Sequence, residues 1–214
     1  MHDVLRDMPL HITRKRLIVK AYMLLKELPN KEEWIEDLEK VSLMRNFISI
    51  ILQTMKFPKF PKLTTLFLSC NSLKEIPKSF FGHFPNLKIL DLSGNPFKSL
   101  PNSISSLEKL DALLLNSCRK LESISLVFKL QALKKLNLEN TRVEEILQGL
   151  EMLVILRYLN LRFIECLKEI PTGLLSKLCR LRYLVTHSML KNTEEMKELN
   201  KLEVFEGWFC NMGN

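Results

Sequence analysis

Several features that mark common classes of enzyme are missing from this 214-residue sequence. Its six glycines never form G-x-x-x-x-G-K-[ST], the loop whose backbone holds nucleotide phosphates. Its four histidines show no metal-ligand spacing, and neither a G-x-S-x-G nor a protein-kinase signature occurs. We therefore expect no enzyme activity, and no cofactor or metal held by this chain.

Cysteine pairs and long apolar runs are missing too. The five cysteines are odd in number and form no C-x-x-C pair, which disfavours a disulfide framework and a zinc site. No uncharged apolar stretch approaches the length of a membrane span, and the first residues lack the apolar core of a secretory signal. No asparagine is followed two places later by serine or threonine, so glycosylation acceptors are absent. These observations predict a cytoplasmic protein without a membrane span, and they disfavour a secreted receptor ectodomain.

Acidic residues are fewer than basic ones, 24 against 32, which gives a net charge of +8 at pH 7. A basic surface suits acidic partners, nucleic acid or a membrane face, although a solvated surface is the simpler interpretation. No basic run is interleaved with aromatic residues, as binding to nucleic acid would favour. Nucleic acid is therefore not an expected partner.

What the sequence does contain is one phrase repeated along most of its length, clearest in Leu87 to Pro101. It reads L-x-x-L-x-L-x-x-N-x-F-x-x-L-P, which is a complete leucine-rich repeat. In a strand, Leu90 and Leu92 face one side and Asp91 the other, so the leucines enter a core that forms only when units stack. The phrase recurs every 21 to 25 residues, with first leucines at Leu38, Leu63, Leu87, Leu110, Leu133, Leu156, Leu181 and Leu202.

This spacing predicts an α/β leucine-rich-repeat solenoid of about eight repeats over residues 38–214. A curved parallel sheet should line its concave face, with loops and short helices on its convex face. A leucine-rich helical bundle is disfavoured because L-x-L alternates with a period of two in every unit. Residues 1–37 do not follow the repeat, and residues 16–28 within them suit either a strand or a buried helix.

Small or polar side chains occupy the turn after most of the predicted strands. There the chain leaves the sheet, and backbone groups of adjacent coils lose their sheet partners. An amide side chain can serve those groups, and a small, weakly polar thiol can take the same buried position. The predicted structural turn positions are Asn46, Asn71, Asn95 and Cys118.

Two segments carry a family resemblance. The chain begins M-H-D followed by VLRDM, and residues 34–48 read WIEDLEKVSLMRNFI, before a mixture of N-x-L and C-x-x-L turns. This combination resembles the carboxy-terminal part, from the M-H-D motif into the leucine-rich repeats, of plant nucleotide-binding leucine-rich-repeat disease-resistance proteins of the coiled-coil class. The resemblance implies that residues 1–37 are the tail of a winged-helix, nucleotide-binding module with its linker, so that a short winged-helix remnant precedes the solenoid.

The resemblance also implies a nucleotide site and a function. In such relatives the motif histidine contacts the phosphate of bound ADP, which carries a cofactor-binding role to His2 and Asp3. ADP or ATP is then a cofactor of full-length relatives. Because this chain has no phosphate-binding loop, we expect neither residue to bind nucleotide here. The implied function is recognition and autoinhibition in an intracellular immune receptor that senses pathogen effectors.

The candidate binding residues are strand side chains that alternate with the buried leucines, since stacking aligns them into one concave strip. Aromatic and bulky polar groups in the later coils are the types that anchor protein interfaces, although solvated strand residues are the plainer interpretation. The expected partners are an effector, a host protein that effectors modify, or the receptor's own nucleotide-binding module. A stand-alone cytosolic repeat adaptor of the Ras-associated or ubiquitin-ligase type is the alternative function. The selected residues are Phe67, Asp91, Asn116, Lys135, Asn137, Glu139, Tyr158, Asn160, Arg162, Tyr183, His187 and Trp208.

Overall fold

The computed structural model describes residues 16–51, 58–144, 149–167, 169–170, 172–190 and 194–209. The strands in these ranges are β1 (Leu17–Val19), β2 (Lys40–Ser42), β3 (Thr65–Phe67), β4 (Ile89–Asp91), β5 (Ala112–Leu114), β6 (Lys135–Asn137), β7 (Tyr158–Leu161), β8 (Glu169–Ile170), β9 (Tyr183–Leu190) and β10 (Val204–Phe209). They form one parallel sheet in chain order, except that β8 lies off this path and pairs with β9. The predicted α/β solenoid with a parallel sheet is confirmed.

Short helical turns occupy the connections between strands. Such connections are needed because a parallel strand can follow its neighbour only after the chain has crossed back. Successive turns contact one another along the solenoid, as the sheet strands do. The 3₁₀ helices are Lys31–Glu33, Phe80–His83, Asn102–Ser106, Ser125–Lys129 and Leu150–Met152, and the α-helices are α1 (Leu174–Lys177) and α2 (Glu194–Glu198).

A column of leucines forms the centre of the core. One leucine from each of the strands β3 to β7 and from β9 is the register partner of the next, and all are fully buried. Burying one such side chain contributes roughly 1.5–3 kcal/mol, so a single coil gains little until its neighbours cover it. The column consists of Leu66, Leu90, Leu113, Leu136, Leu159 and Leu184.

Aromatic rings fill the core behind the first strands. The rings of Trp34 and Phe60 lie 5.7 Å apart, and those of Phe60 and Phe84 lie 5.6 Å apart. The Trp34 indole N–H donates to the carbonyl of Pro29 at 3.2 Å, which satisfies its polar atom inside the core. These contacts tie the segment before β2 to the convex side of the following coils.

The sheet begins earlier than the sequence predicts. β1 pairs in parallel with β2, with Ile18 opposite Val41, and Ile18 is buried. The start of the solenoid predicted at residue 38 is therefore too late by one coil, and the open choice between strand and helix in residues 16–28 resolves to a strand at Leu17–Val19. The predicted winged-helix remnant concerns residues that include 1–15, which lie outside the described residues.

Three turn asparagines hydrogen-bond to the coil before their own. Asn95 is almost fully buried; its Oδ1 accepts from the N–H of Leu73, and its Nδ2 donates to the carbonyls of Leu68 and Leu92. Asn71 repeats this pattern one coil earlier, and Asn46 serves the coil of β1 in the same way. Each asparagine thus joins two successive turns that the sheet does not reach.

In the later coils, cysteine and threonine replace asparagine at the turn position and make fewer hydrogen bonds. The Cys118 thiol donates to the carbonyl of Leu92 at 3.3 Å, and the Thr141 hydroxyl donates to that of Leu138 at 2.8 Å. Thr141 thereby satisfies its own coil, whereas the asparagines bond to two. The residue at the turn position is thus buried in each of these coils, but its hydrogen bonds differ from coil to coil.

The residue before each turn position adopts a left-handed backbone. Its N–H donates to a carbonyl of the following coil, as Gly94 does to Asn116 at 2.9 Å. Only Gly94 in this column is a glycine; non-glycine side chains accept φ values of 54° to 60°. The other members are Arg45, Cys70, Ser117, Asn140 and Phe163.

Candidate protein-binding face

The parallel register aligns the side chains opposite the core into three rows. The first row runs across the sheet as Lys40, Thr65, Ile89, Ala112, Lys135, Tyr158, Tyr183 and Val204. The middle row is Ser42, Phe67, Asp91, Leu114, Asn137, Asn160, Val185 and Glu206. The third row follows the strands and contains Met44, Ser69, Ser93, Asn116, Glu139, Arg162 and His187. We call these rows together the concave face.

The structure places the predicted binding residues on this face wherever it describes them. Lys135 and the tyrosines lie in the first row, the predicted asparagines and Asp91 in the middle or third row, and Arg162 in the third. The side chain of Trp208 and the whole of His2 and Asp3 lie outside the described residues.

Three middle-row side chains bond to their own backbone. The Oδ1 atoms of Asp91, Asn137 and Asn160 each accept from the N–H two residues later, at 3.0 to 3.1 Å. This contact satisfies an amide at the point where the strand leaves the ladder. These residues therefore have a structural role at the strand ends, which period-two alternation alone does not reveal.

Polar side chains of adjacent coils are also bonded to one another across the face. The hydroxyl of Ser93 donates to Oδ1 of Asn116 at 2.7 Å, and Nδ2 of Asn137 reaches the same oxygen at 3.4 Å. Further along, Nδ2 of Asn160 donates to a carboxylate oxygen of Glu139 at 3.1 Å. Side chains held in this way lose less conformational freedom when a partner binds.

Two stacked tyrosines dominate the later part of the first row. The rings of Tyr158 and Tyr183 lie 4.5 Å apart at 10°, and Nζ of Lys135 lies 4.4 Å from the Tyr158 ring centroid. Partial burial raises the pKa of the Tyr158 hydroxyl, and a hydrogen bond with Asn160 offsets part of that rise. A tyrosine hydroxyl is protonated at neutral pH in any case, so this group can donate a hydrogen bond to a partner.

An ion pair bridges the end of the face. Arg162 on the β7 side pairs with Glu206 on β10 and so crosses over β9, where the small side chain of Val185 lies buried. The Arg162 guanidinium also lies 5.9 Å from the Phe163 ring, which contacts the His187 ring at 4.4 Å. The last described coils therefore carry a dense set of charged and aromatic groups on one surface.

A family model described as "Leucine rich repeat" matches residues 61–119, which contain β3, β4, β5 and their turns. The match coincides with the stacked leucine column and the bonded asparagine turns. The chain is a leucine-rich-repeat solenoid.

Curated relatives of this leucine-rich-repeat protein occur in Arabidopsis thaliana. Disease resistance protein UNI is 34% identical over 217 residues, covering 95% of this chain and 21% of that protein. Disease resistance protein RFL1 is 36% identical over 192 residues, covering 86% of this chain and 21% of that protein. The chain is thus related to plant disease-resistance proteins, as the M-H-D segment and the first repeats predict, and it spans about a fifth of their length.

Solved structures share the leucine-rich-repeat fold at lower identity. An internalin F from Listeria monocytogenes superposes with a TM-score of 0.77 at 20% identity, covering 92% of this chain and 56% of that one. A leucine-rich-repeat protein of Leptospira interrogans gives a TM-score of 0.75 at 22% identity, covering 94% and 52%. At these identities the comparison shows the architecture alone.

Sequence reasoning did not select two residues that the leucine-rich-repeat structure brings to the site. Glu206 lies in the middle row and pairs with Arg162, and Phe163 lies in the left-handed column with 54% of its surface exposed. The sequence offers one signal for Phe163. It is an aromatic residue in the left-handed column, where other coils carry Cys70, Gly94 and Ser117. Nothing in the linear sequence signals the ion pair.

Metal sites and membrane-spanning helices are both absent from the described residues. In the described part of the chain, no three His, Cys, Asp or Glu side chains are grouped as metal ligands. Across the same ranges, no helix combines the length and the apolar character that crossing a bilayer demands.

Proposed function

We propose that this chain is a protein-interaction domain of an intracellular plant immune receptor, where it acts in recognition and autoinhibition and senses pathogen effectors in the cytoplasm. The observation that carries the proposal is the ordered set of aromatic and charged side chains on the later half of the concave face. Similarity to plant disease-resistance proteins over 95% of the chain supports the setting.

In the proposed mechanism, the concave face binds a partner protein and catalyses no reaction. Tyrosine and arginine are the residues that most often dominate the energetics of protein interfaces, and both occur here on adjacent strands. In a full-length receptor, the same face would contact either the receptor's own nucleotide-binding module or an effector or a modified host protein. A ligand shifts such a switch only as far as its affinity differs between the two states, so the partner must bind the face more tightly in the active state than in the inhibited state.

A cross-linking experiment in leaf tissue tests this proposal. The chain would carry a photoreactive benzoyl-phenylalanine at Asn137 on the concave face, and a matched version would carry it at Lys129 on the convex 3₁₀ helix. Both would be expressed with a panel of pathogen effectors, and cross-linked proteins would be identified by mass spectrometry. We expect an effector or host protein to be captured from Asn137 alone, and Tyr158→Ala to reduce the capture.

The outcomes separate the proposed function from its alternative. Capture of a ubiquitin-ligase subunit or a Ras-type GTPase from Asn137, without any effect of effectors, would indicate the stand-alone adaptor. Equal capture from Asn137 and Lys129 would show that the concave face has no special role and would refute the proposal.

A further inference from the structure

Basic side chains gather where β6, β7 and β9 begin. The residues just before these strands are neighbours through the backbone, because the N–H of Arg157 donates to Lys134 and that of Arg182 donates to Arg157, each at 2.8 Å. Lys135, the first residue of β6, adds a fourth cation beside them. We call this cluster the basic rim; it consists of Lys134, Lys135, Arg157 and Arg182.

The rim is neutralised only at its two ends. Asp111 pairs with Lys134 at 2.7 Å, and Glu203 pairs with Arg182 at 2.9 Å. Among the described residues, neither Lys135 nor Arg157 has a carboxylate within ion-pair distance. Two adjacent cations in the middle of the rim thus remain available to a negatively charged partner.

The paired tyrosines lie directly beside these two cations. Tyr158 follows Arg157 in β7, and its ring is covered by Lys135 on the β6 side and by Tyr183 on the β9 side. Because both faces of the Tyr158 ring are occupied, a nucleic-acid base has no face of this ring on which to stack. The Tyr158 ring instead presents its edge and its hydroxyl donor, which suit carboxylate oxygens.

We propose that the basic rim and the paired tyrosines bind an acidic, extended segment of another protein, an inference that rests on the proposed function. Neighbouring strands lie about 4.8 Å apart and an extended chain rises about 3.3 Å per residue, so three to four residues cover the distance from β6 to β9. Carboxylates on such a segment meet Lys135 and the fork-shaped donor group of Arg157, which binds carboxylates through two parallel hydrogen bonds.

A fluorescence-anisotropy titration of the full 214-residue chain tests the inference. The probe is a fluorescein-labelled ten-residue peptide in which glutamate alternates with serine. The test variant is Lys135→Glu with Arg157→Glu. The matched control is Lys40→Glu with Lys88→Glu, which makes the same charge change at the corresponding positions of β2 and β4, away from the tyrosines.

We expect the test variant to weaken peptide binding by about tenfold or more, and the control by less than about threefold. Binding by the natural sequence should also weaken as salt rises from 50 to 300 mM, because the contacts are ionic. Arg157→Ala removes a single exposed side chain and should give an intermediate loss of peptide affinity. It keeps the inference testable if the double variant does not fold. Circular dichroism checks that every variant is folded.

Three results would overturn the inference. They are absence of measurable peptide binding, equal losses in the test and control variants, and tighter, Arg157-dependent binding of a labelled single-stranded DNA. If the peptide fails to bind while effector-dependent cross-links from Asn137 persist, only the acidic-segment inference is wrong. If those cross-links are absent as well, the proposed function itself fails.

Discussion

The turn residue Asn95 joins two coils, so replacing it with alanine tests how the solenoid is held together. Its Oδ1 accepts from the N–H of Leu73 at 3.1 Å, and its Nδ2 donates to the carbonyls of Leu68 and Leu92 at 2.9 Å each. Only 1% of the residue is exposed, so water cannot readily replace these contacts. The substitution therefore removes these three hydrogen bonds, and a longer fourth one from Nδ2 to the carbonyl of Ser93 at 3.4 Å, from a dry site.

The lost bonds do not cost the same, and the carbonyl of Ser93 keeps the N–H of Cys70 as its donor. The carbonyls of Leu68 and Leu92 each keep a second partner, supplied by the turn residue of an adjacent coil. The N–H of Leu73 loses its side-chain acceptor, and a buried donor left unsatisfied costs about 1–3 kcal/mol. We expect Asn95→Ala to lower the free energy of unfolding by about 1–3 kcal/mol, with most of the loss arising from this one amide.

Two measurements check the size and the place of the effect. Urea denaturation followed by intrinsic fluorescence gives the free energy of unfolding, and hydrogen exchange should show faster exchange of the Leu73 amide. Asn86→Ala is the matched control, because Asn86 donates to Pro61 from an exposed position and should cost under about 0.5 kcal/mol. If Asn95→Ala and Asn86→Ala unfold alike, or if the Leu73 amide exchanges at its original rate, the asparagine does not join the coils.

Three further substitutions test the core, a buried thiol and the left-handed column. Leu92→Ala should cost about 2–5 kcal/mol in urea denaturation, because Leu92 is fully buried; a smaller loss would mean that the core collapses around the gap. Burial raises the pKa of the Cys118 thiol from 9.0 to about 12, so its contribution to stability is complete below pH 9 and is lost as the pH rises toward 12. The Cys118→Ala variant should therefore lose less stability over that range, and parallel pH profiles would contradict this. Gly94→Val should cost roughly 1–2 kcal/mol more than Gly94→Asn in thermal unfolding, since φ is +69° and a Cβ would lie 3.3 Å from the Cys70 sulfur; equal values would remove the backbone argument.

The repeat phrase predicts the sheet wherever both leucines and a turn asparagine are present. It does not predict the coil of β1, because the register puts Lys20 at the position of the second leucine and Met23 at the position of the turn asparagine. That coil is held from outside: Asn46 in the next turn accepts from the N–H of Met23 and donates to the carbonyl of Lys20. The sequence pattern of one repeat therefore cannot predict hydrogen bonds that a neighbouring repeat supplies.

Alternation along a strand predicts which side chains share the concave face, because strand side chains point to opposite faces in turn. It does not predict which of them contact each other. Arg162 and Glu206 are 44 residues apart, and their ion pair depends on the small Val185 between them. Likewise, Asn160 looks free in the sequence, yet its Oδ1 and Nδ2 are bonded to the Arg162 N–H and to Glu139.

The two halves of the solenoid are joined differently, because the residues at the turn positions change along the chain. Up to β4, an asparagine ties each coil to the one before it, whereas after β5 and β6 Cys118 and Thr141 each make a single side-chain bond. Thr141 bonds only within its own coil, and the turn residue of the following coil, Ile164, has no polar side chain with which to bond. The half of the solenoid that carries the tyrosines is therefore more easily deformed by a bound partner than the half joined by asparagines.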